Sequence, residues 1–294
     1  MRVKFITAIY NNLYGTDLGG RPSRVEHYKW SLLSLLKMTN ADFLCYTSED
    51  EIDELKNFFY VQNKITNSKL EFRVFNLRKT KFSSLINNIK NIEATKKSDR
   101  CIEIQYSKFH WWWNEDKSYD YYYWIDAGLS HCGIIPNKYL DMKLNSYRKY
   151  FESTLFNNNF LFNLIKKTGD SFYVIRKENS KYYWSRTVDK KWYKNYDSSY
   201  HVIGGLFGGK SDKWDVIVSL FENYVKKIME TDRVLVQEEV IMSLMNANHK
   251  ELFINDDFDI WWTRDSKPKD LDISYFEDKK CFYHIIEKLN TSYE

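Results

Sequence analysis

Short apolar runs alternate with amphipathic stretches through the first hundred residues, and no other feature constrains the fold of this chain as tightly. Val3 to Tyr10 is a strand-like run that passes into a polar, glycine-containing loop from Asn11 to Pro22. Ser23 then opens a helix, because Ser-Arg-Val-Glu has the capping-box form with Glu26 three residues after the cap. Val25, Tyr28, Leu32, Leu35 and Leu36 fall on one face of that helix. The unit recurs: Asp42 to Thr47 (DFLCYT) reads as a buried strand, and Ser48 with Glu51 forms a second capping box. Ile52, Leu55, Phe58 and Phe59 stripe the helix that follows. Leu70 to Leu77 alternates like a strand, and Leu85, Ile89 and Ile92 suggest a further helix. Strands separated by helices must be joined by crossovers, which implies a mainly parallel sheet with helices on its faces. Ligands of such sheets gather at the C-terminal ends of the strands.

Downstream, Ile104 to Lys117 is predicted helical and Tyr121 to Asp126 (YYYWID) a central strand ending on its acid. A helix is expected within Tyr147 to Lys167, with short strands at Phe172–Ile175 and Tyr182–Trp184. Ser211 caps a long helix striped by Trp214, Ile217, Val218, Phe221, Val225 and Ile228. Val236, Val240 and Leu244 mark the inner face of the next. No repeat or Pro/Gly-rich linker divides the chain, and 43% apolar residues can fill one sizeable core, so a single α/β domain is expected.

Several classes are disfavoured. The N-terminal MRVKFITAIY enters its strand directly, without the apolar region and small-residue cleavage site of a signal peptide. No apolar run reaches the roughly 18 residues of a membrane span, so a cytoplasmic protein is expected. Four widely spaced cysteines read as reduced thiols, not as a disulfide frame or zinc site. A net charge of +4 from 44 basic and 40 acidic residues is too balanced for a dedicated nucleic-acid binder, although a local basic patch stays open. The 18% aromatic content has two readings, the codon usage of an AT-rich genome and stacking on sugars or bases.

Five constellations could carry chemistry. Tyr121-Tyr-Tyr-Trp-Ile-Asp126-Ala-Gly-Leu-Ser-His131 delivers a carboxylate from a bulky apolar strand to a glycine-containing turn. Asp126 either caps that turn or meets a divalent cation that bridges a pyrophosphate, since Mg²⁺ and Mn²⁺ favour carboxylate and phosphate oxygens. Val202-Ile-Gly-Gly-Leu-Phe-Gly-Gly-Lys-Ser211 formally matches a phosphate-binding GxxxxGK[ST] loop. It is read here as a substrate-lining bend between a strand and a capped helix. Glu238 and Glu239 fall in the first turn of a helix and off its apolar face, as dipole partners or as a general base. Asn255-Asp-Asp-Phe-Asp259 reads as a solvated acidic turn. Of the Phe109-His-Trp-Trp-Trp113 run, three consecutive Trp cannot share one helix face, so core packing takes some and a pocket is open to others. The six histidines show no metal-binding spacing, and His284, in Cys-Phe-Tyr-His-Ile-Ile, is the one singled out.

Taken in order, these segments resemble the GT-A-fold glycosyltransferases that use nucleotide sugars, and more narrowly the bacterial HtrL/YibB-like family. The resemblance runs from the Phe5-Ile-Thr-Ala strand and its loop through Lys108 and Trp124-Ile-Asp-Ala-Gly128. It closes with Gly204-Gly-Leu-Phe-Gly-Gly209 and Gln237-Glu-Glu239. It implies a GT-A-like, mainly parallel sheet flanked by helices, with residues 1–130 binding the nucleotide and 131–294 the acceptor. The partners it implies are a nucleotide-diphosphate sugar donor and a glycan or other hydroxyl acceptor, with no nucleic acid and no integral membrane segment. Asp126, Ala127 and Gly128 stand where the fold carries its Asp-x-Asp motif, with Gly128 replacing the second Asp. Asp126, with His284, is then expected to hold Mn²⁺ or Mg²⁺. The resemblance places Thr7 and Ala8 near the base and ribose, Arg21 and Lys108 at the phosphates, and Gly204 and Gly205 along the donor sugar or acceptor. Glu238 or Glu239 takes the position of the base in inverting members. A non-catalytic carbohydrate-binding protein of the same fold and a single-stranded nucleic-acid binder are the alternatives.

Overall fold

The strand β1 (Val3–Ala8) is flanked in the sheet by β2 (Asp42–Thr47) and β4 (Tyr121–Ile125), both parallel to it. A computed structural model describes residues 1–10, 24–62, 69–88, 99–129, 156–178, 200–232, 235–258 and 282–291. With β3 (Lys69–Val74), β5 (Phe172–Glu178), β6 (Tyr200–Lys210) and β7 (Phe253–Phe258), the sheet runs in the order β3-β2-β1-β4-β6-β5-β7. Only β6 is reversed, being antiparallel to both β4 and β5, while β5 and β7 pair in parallel. The chain is thus a single α/β domain with a mostly parallel seven-stranded sheet.

Both faces of the sheet are covered. Alternate residues of β4 point to opposite sides: Tyr122 and Trp124 enter one core, and Tyr121, Tyr123 and Ile125 the other. On the first side lie α4 (Asp99–Trp113), α6 (Ser211–Asp232) and α7 (Glu238–Asn248). The second side is packed by α1 (Arg24–Leu35), α2 (Ile52–Gln62), α5 (Asn158–Thr168) and α8 (Phe282–Asn290). The short α3 (Ser83–Asn88) precedes α4. Burial on both faces explains why YYYWI is apolar without alternation. Trp111 and Trp112 are fully buried, stacking on Trp124 and Trp214 respectively, whereas Trp113 is half exposed. Among the described residues no helix is long and apolar enough to cross a membrane.

Three expectations change. The glycine-rich segment 204–210 is not a bend; it is the reversed strand β6, and the helix starts at Ser211. Gly208, with φ +155°, lets β6 approach β4 so closely that a Cβ there would lie 2.6 Å from Tyr123 Cα. The acidic segment 255–258 is no solvated turn either, but part of β7, where Asp257 takes Arg176 in a two-pronged ion pair and Asp256 takes Lys167 and Tyr173. Salt-bridged carboxylates can enter a sheet edge that isolated ones avoid. The predicted helix 104–117 spans 99–113, and the aromatic run lies in its last turn. Ile89, Ile92 and Tyr182–Trp184 lie outside the described residues.

Candidate functional site

Asp126 is the first residue beyond β4, at its C-terminal end. Its N–H donates to Gly205 O (2.8 Å), extending the β4–β6 pairing by one bond. Its own carbonyl closes the following turn by accepting from Leu129 N–H (2.9 Å), while the carboxylate turns back toward the sheet. Oδ1 accepts the indole N–H of Trp124 (2.7 Å) and lies 3.3 Å from Lys108 Nζ. Trp124 stands two residues earlier on the same face of the strand, so the pleat itself brings donor and acceptor together. The side chain as a whole is 36% exposed.

Opposite Asp126, β6 carries a bulge. Val174 of β5 pairs with Phe207 and the next residue, Ile175, with Ile203, which leaves Gly204, Gly205 and Leu206 without partners on β5. Backbone groups released from a ladder must find other partners. Gly204 N–H donates to Glu239 Oε1 (2.9 Å), and Gly204 O accepts from Lys108 Nζ (2.8 Å). Glycine at 204 makes room for these groups: a Cβ would strike Glu238 Oε1 and sit 3.0 Å from Lys108 Nζ.

Lys108 projects from the middle of α4 into this bulge. Besides Gly204 O it donates to Glu238 Oε1 (2.7 Å), it forms an ion pair with Asp126, and its side chain is only 5% exposed. Its ammonium also lies over the Trp124 ring, 5.0 Å from the centroid. Burial alone would lower the Lys108 pKa, but the Asp126, Glu238 and Glu239 carboxylates outweigh it and hold the group above its usual range, firmly charged. The helical wheel placed Glu238 off the apolar face of α7, yet it is 3% exposed. The buried ammonium of Lys108 offsets the desolvation that would otherwise exclude it. Tyr106, one half-turn before Lys108, donates to Val236 O (2.7 Å) and so ties the start of α7 to α4. Ser243 accepts from Val202 N–H (2.8 Å) and docks α7 on β6.

Among the described residues, one ammonium meets the three carboxylates of Asp126, Glu238 and Glu239, a formal charge of −2 at the mouth of the sheet. Asp126 Oδ2 points toward Gly205, where a Cβ would be 3.8 Å away in ordinary contact. A carboxylate oxygen so placed would suit a divalent cation that takes further ligands from elsewhere, phosphate oxygens among them. Among the described residues no group of three His, Cys, Asp or Glu forms a self-sufficient metal site. Glu239 is half-buried beside the bulge.

The remaining candidates are placed as follows. Ile6 pairs with Trp124, so Ala8, half-buried, is level with Asp126 across the sheet. Thr7 is fully buried, and its hydroxyl has no hydrogen-bond partner among the described residues. Ala127 is buried and Gly128 lies in the turn after Asp126. Arg21 lies outside the described residues; His284 belongs to α8, with its side chain outside them. The structure therefore brings together Lys108, Asp126, Gly204, Gly205, Glu238 and Glu239. Sequence reasoning missed Trp124 as the group that orients Asp126 and Tyr106 as the anchor of α7. The first had a signal, the i, i+2 spacing on one strand face. Paired glycines inside an apolar run also point to a bulge. The GxxxxGK[ST] match is no phosphate loop: Gly208 and Gly209 pair with β4, and Lys210, at the far end of β6, forms an ion pair with Asp170.

No family model and no curated protein matches the chain. Solved structures do. The fold is similar to that of mouse xyloside xylosyltransferase 1 in its apo form, with a TM-score of 0.51 and 10% identity over 87% of this chain and 86% of that one. Looser likenesses are to 4-diphosphocytidyl-2C-methyl-D-erythritol synthase from Anaerococcus prevotii DSM 20548 (TM-score 0.42, 8% identity, 87% and 86% covered). Another is to CMP:2-keto-3-deoxy-manno-octonic acid synthetase complexed with CTP (TM-score 0.37, 9% identity, 89% and 91% covered). At these identities the first likeness establishes a shared fold, which is GT-A-like.

Proposed function

We propose that the chain transfers a sugar from a nucleotide-diphosphate sugar to a hydroxyl acceptor, as a glycosyltransferase of the HtrL/YibB-like group. The observation that carries this reading is the meeting of Lys108, Asp126, Glu238 and Glu239 around the glycine bulge of β6. They meet at the C-terminal end of a central strand, where sheets of this kind bind ligands. The likeness of fold to a xylosyltransferase is consistent with it.

In this reading Thr7 and Ala8 border the base and ribose, Ala127 and Gly128 the diphosphate, and Gly204 and Gly205 the sugar. Asp126 presents Oδ2 to Mg²⁺ or Mn²⁺, with His284 as a second ligand and Arg21 at the phosphates. When bound, the cation supplies positive charge to the departing diphosphate. Glu238 is committed to Lys108, so Glu239 is the carboxylate that takes the acceptor proton if the anomeric centre inverts. Lys108 and Asp126 come from residues 1–130, whereas Gly204, Glu238 and Glu239 come from 131–294, so the donor and acceptor halves meet at the cluster.

Thermal-shift screening of nucleotide-diphosphate sugars, with and without Mn²⁺, tests the reading, followed by assays of donor hydrolysis. Stabilisation by at least one donor, lost in Asp126→Ala, is the expected result. No donor binding under either condition would overturn it, and binding without turnover would instead identify a carbohydrate-binding protein of the same fold.

A further inference from the structure

We propose that Lys108 is a positioning residue that sets the orientation of the Asp126 carboxylate before any ligand arrives, and that it makes no contact with phosphate itself. The inference rests on the donor-site reading above and changes the part Lys108 plays in it. An ammonium has three N–H donors. Lys108 donates to Gly204 O in the β6 bulge at 2.8 Å and to Glu238 Oε1 on α7 at 2.7 Å, and its ammonium forms an ion pair with Asp126 Oδ1 after β4 at 3.3 Å. Three elements thus enclose the ammonium, and with the side chain only 5% exposed it is turned into the protein and away from a phosphate.

What Lys108 does reach is the oxygen of Asp126 that already accepts the Trp124 indole N–H at 2.7 Å. With Oδ1 occupied from both sides, Oδ2 is the oxygen left to a ligand. The bulge completes the arrangement, because glycine at 204 admits the ammonium and Oδ2 faces Gly205, where an added Cβ would touch it at 3.8 Å. Groups that orient a metal-binding carboxylate are worth about 10- to 100-fold in metal affinity. Glu238 is then the counter-charge that keeps Lys108 in place.

The test uses the double variant Lys108→Met/Glu238→Gln. It removes one positive and one negative charge, so the formal charge of the cluster is unchanged and a loss cannot be assigned to the field alone. It also leaves neither partner buried as an unpaired ion. The first measurement needs no ligand. The Trp124 indole N–H resonance, identified by its disappearance in Trp124→Phe, should move upfield in the double variant as Asp126 is released. An unmoved resonance would overturn the proposal. The second measures Mn²⁺ with inorganic pyrophosphate, by electron paramagnetic resonance and calorimetry. Affinity for Mn²⁺–pyrophosphate should fall about 10- to 100-fold, while affinity for pyrophosphate without metal stays the same. An equal fall with and without Mn²⁺ would make Lys108 a phosphate ligand and overturn the proposal. If the wild-type chain binds no Mn²⁺–pyrophosphate, the donor-site reading fails, and the indole resonance still decides whether Lys108 orients Asp126.

Discussion

The helix α4 and the residues just after it supply two buried ion clusters, two turns apart, and they are built in opposite ways. Near its C-terminal end, the Glu115 side chain is 1% exposed and both of its oxygens accept hydrogen bonds. Oε2 accepts from Lys4 (3.0 Å), while Oε1 takes the Tyr46 hydroxyl (2.8 Å) and Arg73, which also holds Glu71. Two cations face two carboxylates there, and no oxygen of Glu115 is turned to solvent. Two turns earlier, Lys108 faces three carboxylates, and one of them, Asp126, is 36% exposed. Arg73 and Glu71, 39% and 43% exposed, leave the first cluster as open at its rim as Asp126 leaves the second. Among the described residues the first is balanced as folded, whereas the second keeps negative charge that a cationic or cation-bearing ligand would neutralise. The comparison teaches that charge balance separates the two, since a buried central group and an exposed rim are common to both.

Breaking each cluster should therefore give different phenotypes. Glu115→Ala leaves Lys4 and Arg73 without their buried counter-ion and should cost about 3–5 kcal/mol in urea unfolding. Donor affinity of the folded fraction should stay at the wild-type value. Asp126→Asn should do the reverse: turnover about 100-fold lower, with the unfolding midpoint within a degree or two of wild type by calorimetry. A destabilised Asp126→Asn protein with normal turnover would erase the distinction.

Gly204→Ala tests the bulge that joins the Lys108 cluster to the sheet. Its Cβ meets Glu238 and Lys108, so the substitution should cost about 1–3 kcal/mol and weaken donor binding together, measured by unfolding and calorimetry on one sample. The smallest effect expected is a pH dependence from His201 on β6. Burial, with the Lys177 ammonium adding to it, pushes its pKa down from 6.5 to about 4. Between those values the unfolded chain binds more protons than the folded one. Stability is then full above the unfolded pKa and is lost progressively as the pH falls toward 4. His201→Asn should flatten this dependence in unfolding measured across that window, without altering either ion cluster.

Much of the frame was legible in the chain. DFLCYT coincides with β2 residue for residue, and YYYWI is β4, with Asp126 immediately beyond it. The apolar stripe from Trp214 to Ile228 lies in α6. These are patterns of neighbouring residues, which local periodicity reports directly. Glu238 was misread because a helical wheel records only its own helix; the ammonium that makes its burial tolerable is 130 residues away. The acids of β7 were misread for the same reason, their partners Arg176 and Lys167 lying 81 and 89 residues earlier. The glycines of β6 suggested backbone freedom, and only their neighbours show that the freedom serves a bulge.

The amino-acid sequence by itself determined an alternating α/β chain, a sheet apolar on both faces, and the delivery of Asp126 to the end of a central strand. Hydrophobic period acts within a few residues, so it can be read in one dimension. Tertiary structure alone decided that β6 runs backwards, that its glycines bulge toward α4 and α7, and that one lysine meets carboxylates from two other elements. Such pairings depend on which distant segments the sheet order brings together. Charge satisfied at that range leaves no periodic mark on the sequence.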